Sequence, residues 1–192
     1  MMKLILASGS PRRRELLESA GLEFDIVVSP AEEIHDATLG MITLCEENAR
    51  LKTAAVAVEH PDAVVIGADT LVFIGDEPLG KPKNMEEAQR MLRRLSGRVH
   101  QVCTGFCIIG PDGGVVKSHG LTAVTFHELD EARIEEYLRK TQPLDKAGAY
   151  GIQDHGEMLV KCIDGSFDNV MGLPVDLVLH ALRGIGLPIH AR

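Results

Sequence analysis

The residue pattern predicts an α/β protein: a mixed, mostly central, twisted sheet flanked by helices, forming two lobes within a single domain over 1–192. Three observations lead there. Strand-like apolar runs alternate with helical periodicity through the first half of the chain, the pattern of strands covered by helices. The turn "GPDGG" at 110–114 joins two long apolar runs, which points to an antiparallel hairpin and so to a mixed sheet. No repeat, low-complexity tract or Pro/Gly/Ser linker divides the 192 residues, a length sufficient for one substantial core.

Taken in order, Lys3–Ala7 is a short buried strand that ends where the arginines begin. Its apolar run falls short of the roughly 7–15 residues of a secretory signal. Pro11–Ala20 reads as a helix, with Leu16, Leu17 and Ala20 on one face, Ser10 at the capping position and Pro11 at the first helical one. Phe24–Val28 is a strand and Ile42–Val58 a helix. Ala63–Ala68 and Leu71–Ile74 read as two strands. Met85–Leu95 is a helix capped by Asn84, with Glu87 three residues on. Gln101–Ile109 and Val115–Phe126 form the hairpin, and Asp130 caps a helix over Glu131–Lys140. Met158–Ile163 is a last strand and Val175–Leu182 a last helix. No run approaches the roughly 20 apolar residues of a membrane span.

Twenty Lys and Arg against 28 Asp and Glu give a formal net charge of −8, which argues against nucleic-acid or anionic-membrane partners. Aromatic residues make up 4% and Trp is absent, which removes the stacking platforms of single-strand binders. Cys45, Cys103, Cys107 and Cys162 form no CxxC pair, so they read as buried, reduced thiols of a cytoplasmic protein.

Against that acidic background, "ASGSPRRREL" sets three arginines at a helix start, where a cation is disfavoured unless an anion answers it. Counting back from Leu16 and Leu17 by three and four places Arg13 on the packing face, aimed at the cleft between helix and sheet. Free N–H groups and forked guanidinium groups suit phosphate, and Ser8 and Gly9 let backbone approach it; a solvated basic turn is the plain alternative. Asp69 closes the buried run "AVVIGAD" and is followed by Thr70, a position suited to a catalytic carboxylate or to a turn cap. "PLGKPKN" offers Lys81, "ENARLK" offers Glu47 and Lys52, and "PAEEIHD" offers Glu32 and Glu33. "DKAGAYGIQ", with Gly148, Tyr150, Gly151 and Gln153, reads as a loop that holds a flat ring and its polar edge. There is no GxxxxGK[ST] loop, GxGxxG, HExxH or GxSxG, and no histidine has a metal-site spacing.

Together "ASGSPRRREL", "ENARLK", "GADTLV", "GKPKN", "AQRMLRRLSGRVHQVCTG", "DKAGAYGIQ" and "NVMGLP" resemble, in order, the Maf family of nucleoside triphosphate pyrophosphatases. The resemblance implies an inosine-triphosphatase-like fold around a nucleotide cleft and cleavage between the α- and β-phosphates with a divalent cation, Mg²⁺ or Mn²⁺. It maps the catalytic acid to Asp69, phosphate binding to Ser8, Arg12, Arg13, Lys52 and Lys81, and specificity to Arg12, Thr70 and Gln153. Asp69 and Glu33 are the expected metal carboxylates, Glu33 being chosen over its neighbour Glu32. The "DKAGAYGIQ" loop is like that of the branch acting on dTTP and UTP, or on modified pyrimidine nucleotides. Phe167 departs from the family's usual Tyr. A homodimer follows from the same resemblance. The alternatives are a non-catalytic nucleotide sensor acting on cell division, and a pyrophosphatase for inosine triphosphate or 7-methyl-GTP.

Overall fold

The computed structural model describes residues 2–186. Along the chain run β1 (Lys3–Leu6), α1 (Pro11–Ser19), β2 (Asp25–Ile26), α2 (Met41–Ala57), β3 (Ala63–Ile74), β4 (Glu77–Leu79) and α3 (Met85–Leu95). They are followed by β5 (Val99–Ile109), β6 (Val115–Phe126), α4 (Glu131–Lys140), β7 (Val160–Asp164), α5 (Phe167–Met171) and α6 (Val175–Gly184), with 3₁₀ turns at Ala37–Leu39, Pro143–Asp145, Ala147–Ala149 and Gly156–Met158. Among the described residues one mixed sheet runs β2-β1-β3-β5-β6-β7, with β4 on the far end of β3. β1 pairs in parallel with β2 and β3, and every other pairing is antiparallel.

Among the described residues four buried apolar clusters form: two smaller ones seat α2 through Val56 and through Leu44 and Cys45, and the two largest cores lie at opposite ends of the sheet. In the first, Leu16 and Leu17 of α1 and Val178 and Leu182 of α6 pack on Leu4, Leu6, Val64 and Ile66. In the second, Leu92 and Leu95 of α3 and Ile134 and Tyr137 of α4 pack on Val72, Val102, Val124 and Phe126. β3 and β5 belong to both, since Val64 and Phe106 serve the first core while Val72 and Val102 serve the second. Asp69 and Thr70 therefore stand where β3 crosses from one core to the other.

Several expectations need correction. Ala63–Ala68 and Leu71–Ile74 are one strand, because Asp69 and Thr70 keep their ladder pairing with Gly105 and Thr104. Asp69 is thus mid-strand; the strand that ends beside it is β1, whose parallel pairing with β3 stops at Leu6 and Ile66. The strand expected over 24–28 shrinks to Asp25–Ile26, and β4 and α5 were not foreseen, all being too short for periodicity to register. Ser10 occupies the capping position without a side-chain bond, whereas Asn84 and Asp130 accept from Glu87 N and Arg133 N as expected. Three cysteines are buried but Cys162 is exposed, on the edge strand β7. The hairpin turn is as read: Gly113 takes a φ of 78°, and Asp112 accepts from Gly114 N at 2.9 Å.

Candidate active site

A cleft of about 690 Å³ lies between the two cores, within the usual size of small-molecule sites. One wall begins where β1 ends. Ala7 N still bonds Ile66 O at 2.7 Å, and the chain then turns through Ser8 and Gly9 into α1. Pro11 lacks an N–H, α1 has no acidic residue in its first turn, and the amides of that turn have no acceptor within the helix, so this end favours an anion.

Arg13 enters the cleft as its position on the α1 face required. Its Nε donates to Gly172 O at 2.8 Å, Nη1 to Ser8 Oγ at 3.1 Å and Nη2 to Thr70 Oγ1 at 3.1 Å. These bonds tie α1 to β3 and to the end of α5, and one N–H on each terminal nitrogen is left for a ligand. Burial lowers the pKa of Arg13, with the opposing pull of Asp69 smaller; a guanidinium stays charged even so. The Thr70 hydroxyl also pairs with Thr104 Oγ1 at 2.9 Å, so it helps position Arg13.

The helix α2 supplies the second part of this wall. It lies unusually close to the sheet, because a Cβ at Gly67 would clash with Thr53 and one at Gly105 with the backbone of Cys45. That approach places Asn48 and Lys52, four residues apart and so on one helix face, over Asp69. Lys52 Nζ lies 2.6 Å from Asp69 Oδ1 and 2.7 Å from Glu33 Oε1, while Asn48 Nδ2 donates to Asp69 Oδ2 at 3.3 Å. Asn48 also bonds both backbone groups of Ile34, which sets the approach of the Glu33 segment. Asp69 is only 4% exposed, and that small opening faces the cleft. Partial burial pushes the Glu33 carboxyl up, but Lys52, with Lys81 and His35 adding to it, outweighs this and leaves it below the ordinary carboxylate range. Lys81 lines the cleft and has no ion-pair partner among the described residues.

Glu33 faces the cleft, and Glu32 is an exposed residue outside its lining. Glu47 points away and pairs with Arg50 and Lys117 at 2.7 and 2.6 Å. A hard divalent cation fits the donor set. Asp69 and Glu33 already share one positive charge, the Lys52 ammonium, and two carboxylates with substrate phosphates are the usual ligands of Mg²⁺. Among the described residues no group of three or more His, Cys, Asp or Glu converges, so a cation held here would complete its shell from substrate and water.

The facing wall is the segment from Asp145 to Gln153. Arg12 reaches across to it, with Nη1 3.1 Å from Asp145 Oδ2. Gln153 is exposed at the cleft with its side chain free of hydrogen bonds among the described residues. Tyr150 does not present its ring as a stacking surface. It is buried edge-on against Phe126 and His100, with its hydroxyl 2.7 Å from His100 Nε2. The sequence reading missed Asn48 and Lys146. Both lie inside motifs it used, and the four-residue spacing of Asn48 and Lys52 was the available signal for the first. Lys146 had none, because its partners come from an irregular loop.

A family model described as Maf-like protein matches residues 3–185. The chain is 51% identical over 183 residues to a dTTP/UTP pyrophosphatase of Akkermansia muciniphila, covering 95% of this chain and 96% of that one. It is 45% identical over 192 residues to a dTTP/UTP pyrophosphatase of Bacillus anthracis, covering all of both chains. Among solved structures, the Ham1 protein of Staphylococcus aureus superposes with a TM-score of 0.58 at 17% identity, covering 95% of this chain and 99% of that one. A HAM1 protein from Coxiella burnetii gives 0.59 at 16% identity, covering 96% and 100%. These two likenesses concern the fold.

Proposed function

The chain belongs to the family of Maf-like proteins, and from that premise we propose that it is a nucleotide pyrophosphatase hydrolysing dTTP and UTP to the nucleoside monophosphate and pyrophosphate. The observation that supports the chemistry best is the cleft-facing Asp69 carboxylate, held at both oxygens by Lys52 and Asn48 beside the Arg13 fork.

In this reading the first turn of α1, Ser8, Arg12, Arg13 and Lys81 hold the triphosphate. Lys52 is shared between Asp69 and Glu33, so a phosphate that draws its ammonium away frees Asp69 Oδ1 to accept a proton from the water attacking the α-phosphorus. Arg13 and the two lysines then stabilise the charge that passes to the leaving pyrophosphate, the dominant contribution in phosphoryl transfer. Asp69 and Glu33 would hold Mg²⁺ or Mn²⁺, which when bound neutralises phosphate charge and lowers the pKa of water. Gln153 faces the base. Its amide can serve the acceptor at O4 and the donor at N3 of uracil and thymine, and the loop backbone fixes which way the amide turns. Thr70 acts on specificity through Arg13, which its hydroxyl orients.

We take the enzyme to be a cytoplasmic homodimer, a reading supported by the family resemblance. No helix among the described residues is long and apolar enough to cross a membrane. The test is release of pyrophosphate from a panel of nucleoside triphosphates with Mg²⁺ or Mn²⁺. Turnover is expected to be far better for dTTP and UTP than for CTP, purine triphosphates or 7-methyl-GTP. Tight binding of nucleotides without pyrophosphate release would point to a sensor instead.

A further inference from the structure

Gln153 reads the base on the proposal above, yet no hydrogen bond of its side chain among the described residues fixes its position. What fixes it is the turn on which it sits. Asp154 N bonds Gly151 O at 3.1 Å, closing a four-residue turn with Ile152 and Gln153 at its tip. Both ends of that turn rest on Lys146. The stem of Lys146 packs under Gly151 so closely that a Cβ there would come within 2.8 Å of Lys146 Cε, and its ammonium lies 3.4 Å from Asp154 Oδ2. The same ammonium donates to Gln142 O at 2.6 Å and to Asp145 Oδ1 at 2.9 Å.

Lys146 is 7% exposed, and lysines are rarely buried unless their charge is met. Here it is met at both ends of the loop, by Asp145 before the turn and by Asp154 after it. Asp145 turns its other oxygen to Arg12 on the opposite wall. An apolar residue of similar length would fill the same space, but it would leave Asp154 unpaired and Asp145 with Arg12 alone, and the turn would keep only its own bond and that of Gly151 N to the Tyr137 hydroxyl.

We infer that Lys146 is a positioning residue for base selection, seating the Gly151–Asp154 turn so that Gln153 meets the base at one height and angle. The inference rests on the dTTP/UTP reading, and selectivity tests it separately from turnover. The measurement is kcat and KM for dTTP, UTP and CTP, by pyrophosphate release, for wild type, Lys146→Met and Asp154→Asn. The second variant is milder: it removes one partner of Lys146 at a partly exposed position.

In Lys146→Met the preference for dTTP over CTP, as a ratio of kcat/KM, is expected to fall by about three- to tenfold, no further than when the Gln153 side chain itself is removed. Most of the change should lie in KM for dTTP, with kcat at saturation within about threefold of wild type. Asp154→Asn should shift the same ratio in the same direction by a smaller factor. A parallel loss on all three nucleotides, with the ratio unchanged, would overturn the inference and leave Lys146 a structural residue. If Lys146→Met does not fold, the ratio in Asp154→Asn decides in the same way. A wild type with no preference for dTTP and UTP would take down both readings, whereas an intact wild-type preference that both variants keep overturns this one alone.

Discussion

The wall that carries Ser8, Arg13, Lys52 and Asp69 is made of a strand end, two helices and the middle of the longest kind of strand in the sheet, while the wall that carries Gln153 is made of 3₁₀ turns and a tight loop. On the first, backbone ladders and helix faces set each side chain, and glycines at 67 and 105 set the depth of α2. On the second, buried side chains do that work: Lys146 beneath the turn, Tyr137 accepting from Gly151 N at 3.0 Å, and the His100–Tyr150 pair behind it. A site whose chemistry stays constant gains from the first construction. On the reading proposed above, base selection gains from the second, because such a loop can change without moving the groups of the first wall.

The largest effect expected from separating the walls is at Asp69. Asp69→Asn should keep the fold and most nucleotide affinity but lower kcat by about 10²–10⁴-fold, the range of a lost general base. Pyrophosphate release under saturating dTTP measures it, and retention of more than about a tenth of wild-type kcat would remove Asp69 from that role.

Next in size is an acid sensitivity confined to the second wall. Burial lowers the pKa of His100 from 6.5 to about 4, and its Nδ1 has no hydrogen-bond partner among the described residues. Between those values the unfolded chain holds the proton and the folded chain does not, so stability is full above pH 6.5 and falls as pH drops toward 4. The loss amounts to about 3 kcal/mol at most. Thermal melting across this window should show the drop in wild type and a flatter profile in His100→Gln, which keeps a partner for the Tyr150 hydroxyl.

These two cases also show what was legible in the sequence. α3, α4 and β6 have the bounds expected of them because their apolar period, caps and turn residues agree. In the first wall the place of Arg13 at the cleft was readable, since it follows from counting back from the two buried leucines of α1, Leu16 and Leu17. Asp69 was read as the end of a strand because its charge interrupts an apolar run, yet the ladder to β5 continues through it and Lys52 and Asn48 meet the charge. Tyr150 lies in a polar, glycine-rich loop that reads as one holding a flat ring, yet its own ring is turned into the core. Its actual partners, Phe126 and His100, are far away in sequence and leave no local trace.

A smaller effect is expected at Arg13, which belongs to the first wall but also holds it together. Arg13→Ala should raise KM for dTTP by roughly 10–100-fold and also destabilise the free protein by about 1–3 kcal/mol, because Gly172 O, Ser8 and Thr70 lose a donor. Arg13→Lys should recover part of the charge and little of the fork. An unchanged melting temperature for Arg13→Ala would break the structural half of this expectation. The smallest change is Gln153→Ala. With an exposed side chain lost, melting should not move, while the preference for dTTP over CTP in kcat/KM should fall about tenfold, or about 1.4 kcal/mol.

The division of labour between the walls is tested most directly by a ligand that has phosphates and no base. Inhibition of dTTP hydrolysis by inorganic tripolyphosphate gives a Ki that reports the phosphate wall alone. Arg13→Ala should weaken that Ki together with KM for dTTP, and Gln153→Ala should raise KM for dTTP while leaving the Ki within about twofold of wild type, less than about 0.4 kcal/mol. A Gln153→Ala protein whose tripolyphosphate Ki rises as far as its KM for dTTP would contradict the account, because the two walls would then be one site.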